Sequence, residues 1–163
     1  MSLSEIIIFF LPAIITNLFF NTFYEVKRKL GWLSYDYPLD FNLRFLGNRL
    51  LGESTTLGGL VIAILSGLVL SLIPYFSNTM ALALLAYFGH ALGSFIKRRM
   101  GFPRGKFMPI IDHGDYMILT SFFFIVKGII DFKSALIGIL IVLIFQPTIG
   151  YLAWKFNWRD NKI

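Results

Sequence analysis

The sequence predicts an all-α integral membrane protein with five transmembrane helices, and three observations carry that reading. Of its 163 residues, 56% are hydrophobic and only 15% charged, with a mean hydropathy of +0.71, which is too apolar for a water-soluble domain. The apolar residues gather into five segments near the roughly 20 residues that cross a hydrocarbon core: 3–23, 57–76, 79–96, 116–130 and 134–154. The cations fall almost entirely between alternate segments. The whole chain, 1–163, reads as one membrane domain with two long loops, 24–56 and 97–115.

The first segment has no basic residue before it and no small-residue cleavage site after it, so a removable signal peptide is not expected. Pro12 frees a backbone carbonyl inside it, and Asn17 with Asn21 one turn later is spaced to bond across helices. The loop that follows carries Lys27, Arg28, Lys29, Arg44 and Arg49. It ends in "GESTTLGGL" (52–60), where Ser54, Thr55 or Thr56 suits a helix cap and Gly58 and Gly59 permit close approach. That stretch lacks the GK[ST] ending of a Walker motif, so capping and phosphate binding both fit it.

The third segment ends in "GHALGSFIKRR" (89–99). On a helix His90, Ser94 and Lys97 are spaced by four and three and share a face, while Gly89 and Gly93 line a neighbouring strip that lets another helix or a ligand approach. The KRR run also suits simple anchoring of a helix end at the interface. The second loop carries Lys97, Arg98, Arg99, Arg104 and Lys106, and the tail Lys155, Arg159 and Lys162. In a five-span arrangement these fall on one side with the first loop, thirteen of the fifteen Lys and Arg, leaving Lys127 and Lys133 opposite. The positive-inside rule then puts the amino terminus outside and the carboxyl terminus in the cytoplasm. The expected location is the cell (plasma) membrane, multi-pass, with both loops on the cytoplasmic face.

The fourth segment is the shortest and is preceded by "IIDHGDY" (110–116). If that turn is helical, Asp112 and Asp115 share a face and suit one cation or two; on spacing alone a solvated helix start, with acidic residues favoured by the dipole, explains them better. The absence of cysteine excludes a disulfide framework, a thiolate metal site and a cysteine nucleophile, so metal chemistry falls to Asp, Glu or His. The net charge of +6 flanks apolar spans rather than covering a soluble surface, so headgroups and phosphates are expected partners and nucleic acid is not. With carboxylates and cations on one membrane face, a nucleotide phosphate chain bridged by a divalent cation fits. A small transporter would want charged residues deep in the spans, and His90 is the deepest of them.

Taken together, "LPAIITN" (11–17), "PLDF" (38–41), "GNRLLGESTTLGG" (47–59), "GSFIKRRMGFPRG" (93–105) and "DHGD" (112–115) resemble the integral-membrane cytidylyltransferases that make CDP-archaeol, relatives of the phosphatidate cytidylyltransferases. The resemblance runs in order over most of the chain. It implies that CMP passes from CTP to a lipid monophosphate, of archaeol phosphate or phosphatidate type, releasing pyrophosphate. It further implies Asp112, Asp115 and Lys97 as catalytic residues, with Ser94, Arg98, Arg99, Arg49, Ser54 and Thr55 on nucleotide phosphates and Asn17 and Arg104 near the lipid headgroup. Asp112 and Asp115 would hold Mg2+.

The chain departs from the family pattern at three places. Gly89-His90 stands where the family has Gly-Asp, Leu46 to Arg49 where it has Asp-Gly-Arg-Arg, and Thr55-Thr56 where it has Lys-Thr. Magnesium prefers oxygen ligands, whereas imidazole suits Mn2+ or another transition cation, which makes His90 a further metal candidate. The alternative is a relative without activity, or with an altered metal, that binds anionic lipid or a partner membrane enzyme. The small residues Gly58, Gly59, Gly67 and Gly93 allow internal packing or a homodimer.

Overall fold

The computed structural model describes residues 1–32, 36–45, 48–51, 54–102 and 108–156. Five helices follow in chain order: α1 (Leu3–Lys29), α2 (Leu57–Leu70), α3 (Thr79–Arg99), α4 (Pro109–Val126) and α5 (Phe132–Lys155). Between α1 and α2 lies a small antiparallel hairpin, β1 (Arg44–Phe45) and β2 (Asn48–Arg49), with Arg44 opposite Arg49 and Phe45 opposite Asn48. Among the described residues the regular structure is helical apart from this hairpin and a single bridge between Pro38 and Thr56, neither of which the hydropathy pattern announced.

The ends of the helices differ from the expected spans for identifiable reasons. Ser2 and Glu5 close a capping box at the start of α1, and the helix runs on to Lys29, so Lys27, Arg28 and Lys29 are its last turn and not loop. At 1.5 Å per residue its 27 residues reach about 40 Å. The expected second span stops early at Leu70, because the ring of Pro74 would collide with the Leu70 carbonyl in a continued helix. α4 starts seven residues before the expected fourth span, since Pro109 suits the first helical position, and so takes Asp112 and Asp115 into its first two turns.

α1, α3 and α5 are each long and apolar enough to cross a membrane, with mean hydropathies of 2.0, 1.5 and 2.1 over their most apolar stretches. α2 is apolar but has 14 residues, about 21 Å, which is short of the roughly 30 Å hydrocarbon thickness.

Packing centres on α3, which lies against α1, α2 and α4, while α4 also lies against α5. Ile6, Phe9, Phe10 and Ala13 of α1 meet Leu82 and Ala86 of α3, Tyr116, Met117 and Phe124 of α4, and Ala135 and Val142 of α5. Phe9 packs edge-on against Phe124 at 5.0 Å between ring centres, a favourable geometry for aromatic pairs. Lipid is as apolar as a leucine side chain, so close approach through small residues does much of the work of association in a membrane. Gly89 meets the backbone of Tyr116, Gly93 the carboxylate of Asp115, and Gly138 the ring of Phe10. α3 ends at Arg99 with Met100 as its C-cap, and Gly101 at φ +74° lets the Phe102 N–H reach back to the Lys97 carbonyl at 3.1 Å. That closure fixes the KRR run in the final turn of α3, beside the start of α4.

Candidate functional site

The α3–α4 crossing brings the sequence's two sharpest stretches together. Because Gly89 and Gly93 present no side chain, the first turns of α4 lie directly on α3, and a Cβ at Gly93 would overlap the Asp115 carboxylate. Asp115 is therefore deeply buried, with 6% of its side chain exposed. Its Oδ1 accepts the Tyr116 N–H at 2.7 Å and its Oδ2 faces His90 Nδ1 at 3.7 Å. Among the described residues His90 is its only side-chain ion partner. A buried carboxylate without a lysine or arginine is costly unless it is neutralised or meets a cation, so this donor set fits a bound cation.

Asp112 is differently engaged. Its Oδ1 pairs with the Lys97 ammonium and its Oδ2 accepts the N–H of Met108, the N-cap of α4, at 2.7 Å. The two aspartates thus have separate partners on α3, Asp112 facing Lys97 and Asp115 facing His90. No group of three His, Asp or Glu side chains that could hold a metal occurs among the described residues.

His90 links this crossing to the start of α2. Its Nε2 lies 3.2 Å from Ser54 Oγ, and its ring sits 5.4 Å from that of Phe20 on α1. Thr56 caps α2, its Oγ1 accepting the Gly59 N–H at 3.1 Å, and Tyr87 of α3 donates its hydroxyl to the Thr56 carbonyl at 2.5 Å. Thr55 beside it is fully buried, and its hydroxyl has no hydrogen-bond partner among the described residues. Ser94 is buried on the α3 face between His90 and Lys97.

The other expected residues have plainer surroundings. Arg98 donates to the Phe102 carbonyl at 2.9 Å, closing its own helix. Arg99 donates to the carbonyls of Phe45 at 2.5 Å and Arg49 at 3.0 Å, clamping the hairpin onto the end of α3. Arg49 binds Asp40 at 2.8 Å. Burial alone would push the Asp40 carboxyl up, but the Arg49 guanidinium and the N–H groups of Leu51 and Asn42 together keep it below its ordinary value of 3.8. Asn17 is buried on α1 and accepts from Asn21 Nδ2 at 3.0 Å, a bond within its own helix. Arg104 lies outside the described residues.

Sequence reading gave no role to the buried pair of Lys27 and Asp36. Asp36 also accepts the Gly58 N–H at 2.9 Å, and together with Phe23 and Trp32 they line an open pocket of about 480 Å³. The one signal was the spacing of four between Phe23 and Lys27, which sets the ammonium 4.3 Å from the ring centre.

A family model described as "CarS-like: CDP-archaeol synthase" matches residues 3–162. Among curated relatives, the CDP-archaeol synthase of Methanopyrus kandleri is 32% identical over 158 residues, covering 88% of this chain and 86% of its own length. That of Staphylothermus marinus is 32% identical over 139 residues, covering 77% and 79%. That of Methanocaldococcus jannaschii is 29% identical over 144 residues, covering 76% and 81%. No solved structure matches.

Proposed function

Because the chain belongs to the CDP-archaeol synthase family, whose members are CTP-dependent nucleotidyltransferases, we propose that it transfers CMP from CTP to archaeol phosphate in the membrane. A phosphate oxygen of the lipid attacks the α-phosphorus of CTP, the bond from that phosphorus to the β-phosphate bridging oxygen breaks, and pyrophosphate leaves. The product is a CDP-activated lipid for phospholipid biosynthesis. The observation that carries this reading is the meeting of a lysine, two aspartates and a buried serine at one end of α3, beside the cap of α2.

Such a transfer depends on positioning and charge neutralisation more than on covalent chemistry. Lys97 neutralises phosphate charge, and Asp112 holds its ammonium in place between turns. Ser94, Ser54 and Thr55 offer hydroxyls to phosphate oxygens. Arg98 adds positive charge at the same membrane face, while Arg99 and Arg49 act by fixing the hairpin that borders it. Asn17 and Arg104 serve the lipid headgroup. Asp115 is the carboxylate for a divalent cation, which when bound neutralises triphosphate charge and polarises the phosphoryl group.

In this reading all five helices belong to the membrane domain, α2 and α4 completing their crossings with adjoining turns. The amino terminus is outside and the basic loops face the cytoplasm of the cell membrane, where CTP is found. The thirteen cations gathered on one side support that orientation.

The test is pyrophosphate release from CTP by the full chain in vesicles containing archaeol phosphate, phosphatidate or neither. Release that requires a lipid phosphate and is fastest with archaeol phosphate is expected. Equal or faster release with phosphatidate would reassign the lipid, and no release with either would leave a binding protein.

A further inference from the structure

We propose that the segment from Tyr37 to Phe45 rests in the headgroup layer of the leaflet at which α1 and α3 end, with Phe41 and Leu43 at the acyl boundary and Arg44 on lipid phosphates. Its partner is an anionic membrane surface. The inference needs only that α1 and α3 cross the membrane, and it stands apart from the transfer reaction.

The depth of the segment is set by its anchor. Arg99, the last residue of α3, donates to the carbonyls of Phe45 and Arg49, and its guanidinium lies 5.1 Å from the ring centre of Phe45 and 5.2 Å from that of Phe95. The hairpin is therefore fastened to the end of a helix long and apolar enough to cross a membrane, where cationic side chains meet the interface. Trp32, three residues beyond the end of α1, is 56% exposed, and tryptophan gathers at that same level.

The apolar side chains face outward from a backbone that is tied down. The Tyr37 carbonyl accepts the Leu57 N–H at 2.8 Å, and the Leu39 N–H donates to the Thr55 carbonyl at 3.0 Å. Phe41 stands at φ +48°, a left-handed conformation that a bulky side chain adopts only under constraint. The constraint is visible: the Pro38 carbonyl accepts the Phe41 N–H, the Asp40 carbonyl accepts the Leu43 N–H, and Asp40 Oδ1 accepts the Asn42 N–H. So held, Phe41 is 68% exposed and Leu43 60%. Apolar area of this kind is unfavourable in water and favourable at the boundary between headgroups and acyl chains.

Charge complementarity selects an anionic surface over a second protein. The described carboxylates nearby are turned inward, Glu25 to Arg28, Asp36 to Lys27 and Asp40 to Arg49. Arg44 is exposed and makes no ion pair among the described residues. Alternation along the strand puts it on the face opposite Leu43 and Phe45, so apolar and cationic side chains leave the segment in different directions, as in other elements that lie in a membrane interface.

The chain has no cysteine, so Phe41→Cys and Leu43→Cys each take a single nitroxide label in the full protein. Leu140→Cys, on the exposed face of α5, gives a lipid-facing reference. Labelled protein is placed in vesicles of neutral lipid with or without an anionic lipid, and spin relaxation by oxygen is compared with relaxation by a water-soluble nickel complex. Oxygen should dominate at 41 and 43, as it does at 140. Adding Arg44→Gln to the Leu43 label should lower the ratio of immersed to water-exposed label about fivefold in anionic vesicles and leave it unchanged in neutral ones.

Stronger relaxation by the nickel complex at both positions would overturn the proposal, because the segment would then stand in water. Weak relaxation by both reagents, with dipolar broadening between labels, would overturn it in favour of a second copy of the chain. An Arg44 variant equal to native in anionic vesicles would overturn the attraction to lipid phosphate. The Leu43 label sits outside the left-handed turn, so a Phe41 variant that fails to fold leaves the test intact.

Discussion

Gly93 of α3 is the seat of the Asp115 carboxylate of α4: a Cβ at position 93 would occupy the space of Oδ2. A single hydrogen in place of a methyl group thus sets how deeply the acidic stretch sits against the basic one. Gly93→Ala is expected to push Asp115 off α3 and lower CMP transfer by at least about tenfold, with overpacking costing roughly 1–3 kcal/mol of stability. Thermal melts in detergent and CTP turnover measured on one preparation check this. Unchanged turnover would mean that Asp115 need not sit there.

Lys97 and Asp112 are expected to act as one unit. Lys97→Ala and Asp112→Asn should each reduce transfer by more than about tenfold, and the double variant by far less than the product of the two. Their coupling should lie in the range of roughly 0.5–3 kcal/mol found for residues in contact. Additive losses would contradict the pairing.

Arg99 clamps the hairpin through two carbonyls. Arg99→Lys cannot span both with one ammonium, so amide exchange over residues 44–51 should quicken while the protection of α1, α3 and α5 stays. Exchange mass spectrometry reads this directly. Hairpin protection equal to native would assign the arginine another purpose, such as direct phosphate binding.

The hairpin should also loosen in acid. The Asp40 carboxyl is held below its ordinary value by Arg49 and two N–H groups. Its contribution is therefore complete above the unfolded carboxylate value of about 3.9, and is lost as pH falls through that value toward the lowered one. Exchange across 44–51 should accelerate as pH drops below about 4 after correction for intrinsic rates, and Asp40→Asn should remove that pH dependence.

Much of this organisation was legible in the sequence, and the illegible part has a physical cause. The apolar lengths of α1, α3 and α5 mark them as helices able to cross a membrane, and the glycines at 89 and 93 mark a close approach. Residues three apart on a helix point about 60° away from each other, so Asp112 and Asp115 read as one chelating face. At the α3–α4 crossing that angle is enough to send one toward Lys97 and the other toward His90. Arginine also looks the same in a sequence whether it meets a phosphate or a carbonyl. Arg49 and Arg99 were counted with the phosphate-binding cations, yet their guanidinium groups bind Asp40 and the hairpin backbone. Nothing in the two-residue strands offers the alternation that would have revealed that hairpin beforehand.

The central claim is that the lysine and aspartates of the α3–α4 crossing move CMP onto a lipid. The most direct measurement follows CTP labelled at the α-phosphate, incubated with the full chain and archaeol phosphate in vesicles. The label should enter the lipid fraction with the native protein, and Lys97→Ala and Asp115→Asn should each slow its entry by about tenfold or more. Label that stays in the aqueous phase with the native protein, or enters the lipid as quickly with both variants, would contradict the account.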